Sequence, residues 1–182
     1  MPDAEELKSV VLVEGKSDGA AVETLARRLG HDLDAERVAV VPTGGYGNLG
    51  RFLGRFRDAR LTGLYDAPEE RHVRRALARA GFEADRDLEA LGFYACEANL
   101  EDELTRALGP SAMEELLGAQ GDLNAFRTYQ KQPAHREEPL EEQLTGFLWN
   151  RKHRYGVLIV ETLPLDRIPR PLAGVLAHAL RP

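Results

Sequence analysis

Residues 10–19, Val10-Val11-Leu12-Val13-Glu14-Gly15-Lys16-Ser17-Asp18-Gly19, decide the fold of this chain of 182 residues. The four apolar residues at their start predict a short strand that is buried on both faces. Glu14-Gly15 ends the strand, and Ser17 is predicted to cap the helix that follows. Open α/β sheets bind ligands at the carboxyl ends of their strands, which makes Glu14 and Asp18 candidate site residues. The alternative is that Glu14 is a solvated charge and Asp18 only stabilises the helix dipole.

Three more short apolar runs predict strands at residues 37–41, 60–65 and 92–96, each followed by a helical pattern. Alternating strands and helices predict a parallel four-stranded sheet flanked by helices, with right-handed crossovers. Asp66 follows the third predicted strand as Glu14 follows the first, and an acidic run from Glu97 to Glu103 follows the fourth. These carboxylates should therefore lie along one edge of the sheet.

Carboxylates gathered at one edge repel each other unless a cation lies among them. Oxygen ligands favour hard cations such as Mg²⁺ or Mn²⁺. For Glu69 and Glu70, stabilisation of a helix N-terminus is a sufficient explanation, and Asn99 is well placed to be a helix N-cap. A glycine-rich loop at residues 42–48 is either a tight turn or a weak candidate phosphate loop.

Beyond about residue 105 the pattern predicts helices only, at residues 111–118, 122–131, 140–149, 152–163 and 171–180. Residues 157–160 could also form a strand, but a helix fits at least as well. The five histidines have no spacing typical of metal ligands, and we interpret them as surface residues: His31, His72, His135, His153 and His178.

The composition limits the functional classes. A net charge of −6 disfavours a protein that coats nucleic acid without specificity, although bound metal ions would reverse the field locally. The single cysteine, Cys96, excludes an internal disulfide framework. The polar segment from Met1 to Lys8 is not a signal peptide, and no apolar run has the roughly 20 residues of a membrane span. We therefore expect a cytoplasmic protein.

The acidic strand ends, in this order, resemble the Toprim domain, whose pattern is Glu-Gly after the first strand and Asp-x-Asp after the third. Glu14-Gly15 matches the first motif, and Asp66 begins the second. The runs around Glu14 and Asn99, and the Arg151-Lys152 pair before a helix, look most like the OLD (overcoming lysogenisation defect) nucleases. The resemblance covers roughly residues 8–180. It implies a Toprim core at residues 8–108 and a helical C-terminal extension at 109–182, standing alone without an ATPase half.

By resemblance, the chain is a Mg²⁺- or Mn²⁺-dependent phosphodiester hydrolase that cuts or nicks DNA rather than RNA. The metals would be held by Glu14, Asp18, Asp66 and Glu101, and Glu14 and Asp66 would be catalytic together with Lys152. Lys152 would neutralise the scissile phosphate, with Lys131 in reserve. A solvated surface charge remains the alternative for either lysine. The resemblance also implies an ATPase or another protein as a partner.

One residue departs from the family pattern, because Pro68 stands where the second aspartate of Asp-x-Asp belongs. Three interpretations stay open: Glu69 or Glu70 replaces that ligand, the site binds metal weakly, or the site is inactive. The rival functional class is therefore a catalytically degenerate Toprim module that binds nucleic acid or a partner protein without cleavage. Nucleotidyl transfer, as in primases, is a third class, for which the sequence offers no identifiable nucleotide or template surface.

Overall fold

The computed structural model describes residues 6–182, and a parallel four-stranded sheet lies at its centre. The strands stand in the order β2-β1-β3-β4, and their bounds are β1 Ser9–Val13, β2 Val38–Pro42, β3 Arg60–Asp66 and β4 Phe93–Cys96. Every residue of β1 is buried. The predicted parallel sheet is therefore confirmed, with the first strand inside it.

A helix follows each strand, and five more helices follow the last of these. The first four are α1 Lys16–Arg28, α2 Leu49–Arg55, α3 Glu70–Arg79 and α4 Leu100–Leu108. The others are α5 Pro110–Ala119, α6 Leu123–Gln130, α7 Leu140–Leu148, α8 Lys152–Thr162 and α9 Arg170–Ala179. Residues 157–160 lie inside α8, so the helical interpretation of that apolar run is confirmed.

The alternating side chains of β1 build a separate core on each face of the sheet. Val10 and Leu12 pack on one face, with Leu53 of α2 and Leu77 of α3. The apolar side chains on the other face belong to all four strands, to α1 and to the helices from α4 onward. Helix α8 packs on α1, and α9 contacts β1, β3 and β4. The C-terminal helices thus complete the core of the sheet, while a domain division at residues 108 and 109 stays a prediction.

The N-terminus of α1 differs from its prediction. The N-cap is Gly15, whose N–H donates to Oδ2 of Asp18 at 2.8 Å, whereas Ser17 is buried in the first turn. The expected Ser17 cap is therefore wrong. An aspartate at the third helical position is long enough to reach back to the N-cap, so Asp18 satisfies an N–H that would otherwise lack an acceptor.

His178 is not a surface residue, in contrast to its prediction. Its exposed fraction is 8%, and its ring meets that of Tyr94 edge to face. Gly92 has a φ of +91°, and a Cβ at this position would lie 2.7 Å from Nε2 of His178. The absence of a side chain at Gly92 thus makes room for the histidine. The other four histidines are exposed or partly exposed.

Pro68 lies in a short 3-10 turn, Ala67–Glu69, that joins β3 to α3. Helix α3 begins after this turn, at Glu70. Over residues 6–182, no helix is both long and apolar enough to cross a membrane. The first five residues of the Met1 to Lys8 segment lie outside the described residues.

Candidate functional site

The carboxyl ends of the parallel strands share one edge of the sheet, and the four predicted site carboxylates lie at that edge. Glu14 follows β1 directly and is exposed, whereas Asp66 is the last residue of β3 and is partly buried. Asp18 lies in the first turn of α1, and Glu101 lies in the first turn of α4. We call Glu14, Asp18, Asp66 and Glu101 the acidic cluster.

The surroundings of Asp18, which include other members of the acidic cluster, shift its pKa. Burial, together with the negative charges of Glu101 and Glu14, raises this pKa from 3.8 to about 6. The N–H of Gly15 and the positive charge of Lys152 act in the opposite direction on this pKa. Both negative and positive side chains therefore act on the carboxyl of Asp18 at this edge of the sheet.

The pKa of Asp66 is raised in the same way. Burial, together with the charges of Glu14, Asp18 and Glu101, raises this pKa from 3.8 to about 6. Members of the acidic cluster therefore influence the ionisation of Asp18 and Asp66 across this edge of the sheet. Perturbed carboxyl groups gathered in this way are typical of functional sites, although structural ion-pair networks can also produce them.

Lys152 and Glu101 connect the helical C-terminal region with the acidic cluster. Nζ of Lys152, at the start of α8, lies 3.5 Å from Oε1 of Glu101. That oxygen is buried, yet it accepts no hydrogen bond from any described residue. The ion pair is therefore loose. Lys131, the reserve candidate, is exposed at the end of α6, which packs against α5 and α7 rather than on the sheet.

The remaining acidic residues near α4 have partners of their own. Arg106 donates to Oε2 of Glu97 and to Oδ2 of Asp102, both at 2.6 Å. Glu103 accepts the N–H of Glu97 at 2.9 Å. Asn99 caps α4 by accepting the N–H of Asp102 at 2.8 Å, as predicted. Within this acidic run, Glu101 is the carboxylate that acts on both Asp18 and Asp66.

Glu69 and Glu70, the suggested substitutes at the Pro68 position, both have partners within the Ala67–Arg79 segment. Oε2 of Glu69 lies 2.7 Å from Nδ1 of His72, and Oε1 of Glu70 accepts a hydrogen bond from Arg74 at 2.7 Å. Both pairs have the i, i+3 or i, i+4 spacing that stabilises a helix. These contacts favour a structural role for the two glutamates.

Sequence reasoning missed Tyr46, which links the glycine-rich loop to the acidic cluster. The hydroxyl of Tyr46 accepts the N–H of Asp66 at 2.8 Å, and burial raises the pKa of this tyrosine. The amide of Asn48 donates to the carbonyls of Thr43 and Gly44 at 3.1 and 3.2 Å. These bonds favour the tight-turn interpretation of the loop. An aromatic residue inside a glycine-rich turn was the available signal.

The chemistry of the acidic cluster fits a hard divalent cation. Its four carboxylates supply oxygen ligands, and the buried Oε1 of Glu101 has no hydrogen-bond donor among the described residues. Besides burial, repulsion from neighbouring carboxylates raises the pKa values of Asp18 and Asp66, and a cation would offset that repulsion. However, no three His, Cys, Asp or Glu side chains within residues 6–182 already converge closely enough to hold a metal ion.

Comparisons with known proteins agree with this architecture. Residues 7–62 match the family model described as the Toprim domain of overcoming lysogenization defect protein-like proteins. The C-terminal region of the Burkholderia pseudomallei OLD protein is 16% identical, with a TM-score of 0.72 over 96% of this chain and 97% of that one.

A C-terminal region of the OLD protein from Xanthomonas campestris pv. campestris is 23% identical, with a TM-score of 0.69. This alignment covers 98% of the present chain and 95% of the other. The two structural likenesses show a shared fold. A search of curated proteins gave no match. The family match over residues 7–62 and the shared fold together show that this chain resembles an OLD-like Toprim domain.

Proposed function

We propose that the chain is a cytoplasmic, Mg²⁺- or Mn²⁺-dependent phosphodiester hydrolase, a nuclease or nicking enzyme that acts on DNA. The observation that carries this proposal is the acidic cluster, in which burial and neighbouring carboxylates raise the pKa values of Asp18 and Asp66, and Lys152 lies beside Glu101. Toprim domains generally bind divalent metals, which supports the same chemistry. We extend the proposal to an ATPase as the protein partner.

Glu14, Asp18, Asp66 and Glu101 would hold the metal. When bound, a divalent cation supplies an activated water and stabilises charge on the leaving oxygen. Lys152 now offsets part of the negative charge of Glu101 and Asp18. With that negative charge offset by a bound cation, the ammonium of Lys152 would bind a non-bridging oxygen of the scissile phosphate.

The distribution of arginines supports a nucleic acid as the substrate despite the net charge of −6. Arg51 and Arg55 lie one turn apart on α2, and Arg71, Arg75 and Arg79 lie at the same spacing on α3. All five are exposed, and none forms an ion pair with a carboxylate of residues 6–182. We call them the arginine face.

The arginine face is continuous with the proposed site. Helices α2 and α3 pack against each other and cover the same side of the sheet. Both helices start at the edge that carries the acidic cluster, so Arg51 and Arg71, in their first turns, are nearest to it. A row of unpaired guanidinium groups binds phosphates and offsets the repulsion between an acidic protein and DNA.

A catalytically degenerate module that binds nucleic acid or a partner protein is the second candidate. Pro68 favours it, because this side chain supplies no ligand oxygen and Glu69 and Glu70 have other partners. Such a module would share the fold and the arginine face but would not cut. Cleavage itself is therefore the property that separates the two candidates.

The test is incubation of purified protein with supercoiled plasmid in Mn²⁺, Mg²⁺ or EDTA. The proposal predicts nicked or linear product with metal and none with EDTA. Glu14→Gln should abolish the product, whereas Glu23→Gln, which removes an exposed charge from the same segment of chain, should not. If no metal supports cleavage by the natural chain, the degenerate module is favoured. If Glu14→Gln cuts normally, the assigned site is wrong.

A further inference from the structure

Trp149 is an exposed aromatic residue at the border of the acidic cluster. It is the only tryptophan of the chain, and its exposed fraction is 65%, the largest among the exposed large hydrophobic residues within residues 6–182. It lies in the short 3-10 turn Trp149–Arg151, between α7 and α8. The other two aromatic residues of this region, Phe147 and Tyr155, are buried. The exposure of Trp149 is therefore local and not a general property of these helices.

The surroundings of Trp149 connect it with the proposed chemistry. A cleft runs from the indole to Asn99 and Glu101, with Thr105, Leu148 and Lys152 along its walls. Nζ of Lys152 lies 5.5 Å from the ring centroid of Trp149 and 3.5 Å from Oε1 of Glu101. One ammonium group thus stands between an acidic cleft and an aromatic face.

We propose that Trp149 stacks against an unpaired nucleobase next to the phosphate that Lys152 binds. This inference rests on the proposed function and names the form of nucleic acid that the site accepts. In a nucleotide, the phosphate and the base are attached to the same sugar. Lys152 supplies a cation for the phosphate, and Trp149 beside it supplies an aromatic face for the base. Every base has a π-face, so stacking of this kind requires no particular sequence.

The same geometry favours single strands or the frayed ends of a duplex over an intact duplex. The bases of a duplex are already stacked on each other, and they must be extruded at a cost of a few kcal/mol before they can stack on protein. An unpaired base pays no such cost. We therefore expect the chain to bind a single-stranded oligonucleotide more tightly than a duplex of the same length.

The single tryptophan makes the test direct, because the tryptophan fluorescence of the chain, excited selectively, reports on Trp149 alone. Oligothymidylate is titrated into the protein in EDTA and again in Ca²⁺, and binding is followed in parallel by the anisotropy of a labelled oligonucleotide. We expect saturable quenching that coincides with the anisotropy change. Trp149→Ala should weaken binding about 5- to 100-fold, while Trp149→Phe retains most of it. Leu165→Ala, which truncates another exposed apolar residue, should have no effect.

Three results would overturn the proposal. Binding without quenching, together with normal binding by Trp149→Ala, removes the stacking role but leaves the proposed hydrolase intact. Absence of binding to both the single strand and the duplex contradicts the stacking role and the nucleic-acid substrate together. A change in fluorescence that depends on protein concentration without oligonucleotide assigns Trp149 to a contact between copies of the chain.

Discussion

The ammonium of Lys152 lies 3.5 Å from Oε1 of Glu101, so a helix from the C-terminal region completes the charge pattern at the edge of the sheet. Lys152 is also 5.5 Å from the ring centroid of Trp149. Helix α8, which begins at Lys152, packs against both α1 and α4. The C-terminal helices thus contribute to the candidate site as well as to the core.

Replacement of Lys152 separates the binding of metal from the cleavage of DNA. Lys152→Met keeps the length of the side chain but removes its charge, so we expect loss of plasmid cleavage with Mn²⁺ affinity retained or slightly increased. Lys131→Met is the matched control, because that lysine is exposed at the end of α6. Normal cleavage by Lys152→Met would show that this lysine does not serve the reaction.

The pKa of Asp66 predicts a stability change that depends on pH. Its folded-state value of about 6 lies above the ordinary 3.8, so the folded chain binds more protons between these values. The ionised carboxyl therefore opposes folding fully above about pH 6, and this penalty disappears as the pH falls towards 3.8. Asp66→Asn should raise the free energy of unfolding at pH 7.5 in EDTA by ~1–2 kcal/mol.

The measurement for this prediction is urea denaturation of both proteins at pH 7.5 and at pH 4. The gain for Asp66→Asn should shrink at the lower pH, where the natural carboxyl is protonated in the folded state and close to half protonated in the unfolded state. Glu23→Gln serves as the control, because Glu23 is exposed on α1. An equal gain at both pH values would mean that the substitution acts through packing instead of charge.

Pro68→Asp should tighten the binding of Mg²⁺ and raise the cleavage rate. The added carboxylate restores the second aspartate of the Asp-x-Asp pattern, and Mg²⁺ favours such oxygens. Loss of the proline can lower the stability by ~0.4–1 kcal/mol, so the affinity is measured by calorimetric titration of folded protein. Pro68→Ala is the control for the loss of the ring. Unchanged affinity would show that another group already fills the position.

The arginine face predicts that the affinity for DNA depends on salt. Arg71→Gln together with Arg75→Gln should weaken binding to all sequences alike, and it should reduce the slope of log K against log salt by up to ~2. Arg136→Gln together with Arg167→Gln removes two exposed arginines of the helical C-terminal region as a matched control. If both double variants lose affinity equally, the arginine face has no special role.

Local patterns were sufficient to predict the sheet, the strand ends and the helices. The spacing of apolar residues that indicates each element involves only residues close together in the sequence. The positions of Glu14 and Asp66 at one edge follow from parallel strands alone. The burial of His178 depends on Gly92, which is 86 residues away in the chain, and no periodicity reports such a contact. The exposure of Trp149 could not be predicted for the same reason, because it too depends on which distant parts of the chain pack nearby.

Other differences come from competition between side chains. Ser17 is a good N-cap residue, yet Asp18 reaches the N–H of Gly15 and removes the need for a cap at Ser17. The sequence also could not distinguish Glu101 from its acidic neighbours. Arg106 pairs with Glu97 and Asp102, and that pairing decides which carboxylate is left for the acidic cluster.

The central claim is that the acidic cluster is a site for a divalent cation, and Mn²⁺ binding by the natural chain and by Glu14→Gln tests it most directly. Calorimetric titration should detect saturable binding to the natural chain and a large loss of affinity in the variant. Thermal unfolding should agree, since a hundredfold excess of ligand over its dissociation constant adds ~2.7 kcal/mol of stability. Equal titration curves for the two proteins, with melting temperatures that Mn²⁺ leaves unchanged, would contradict the claim.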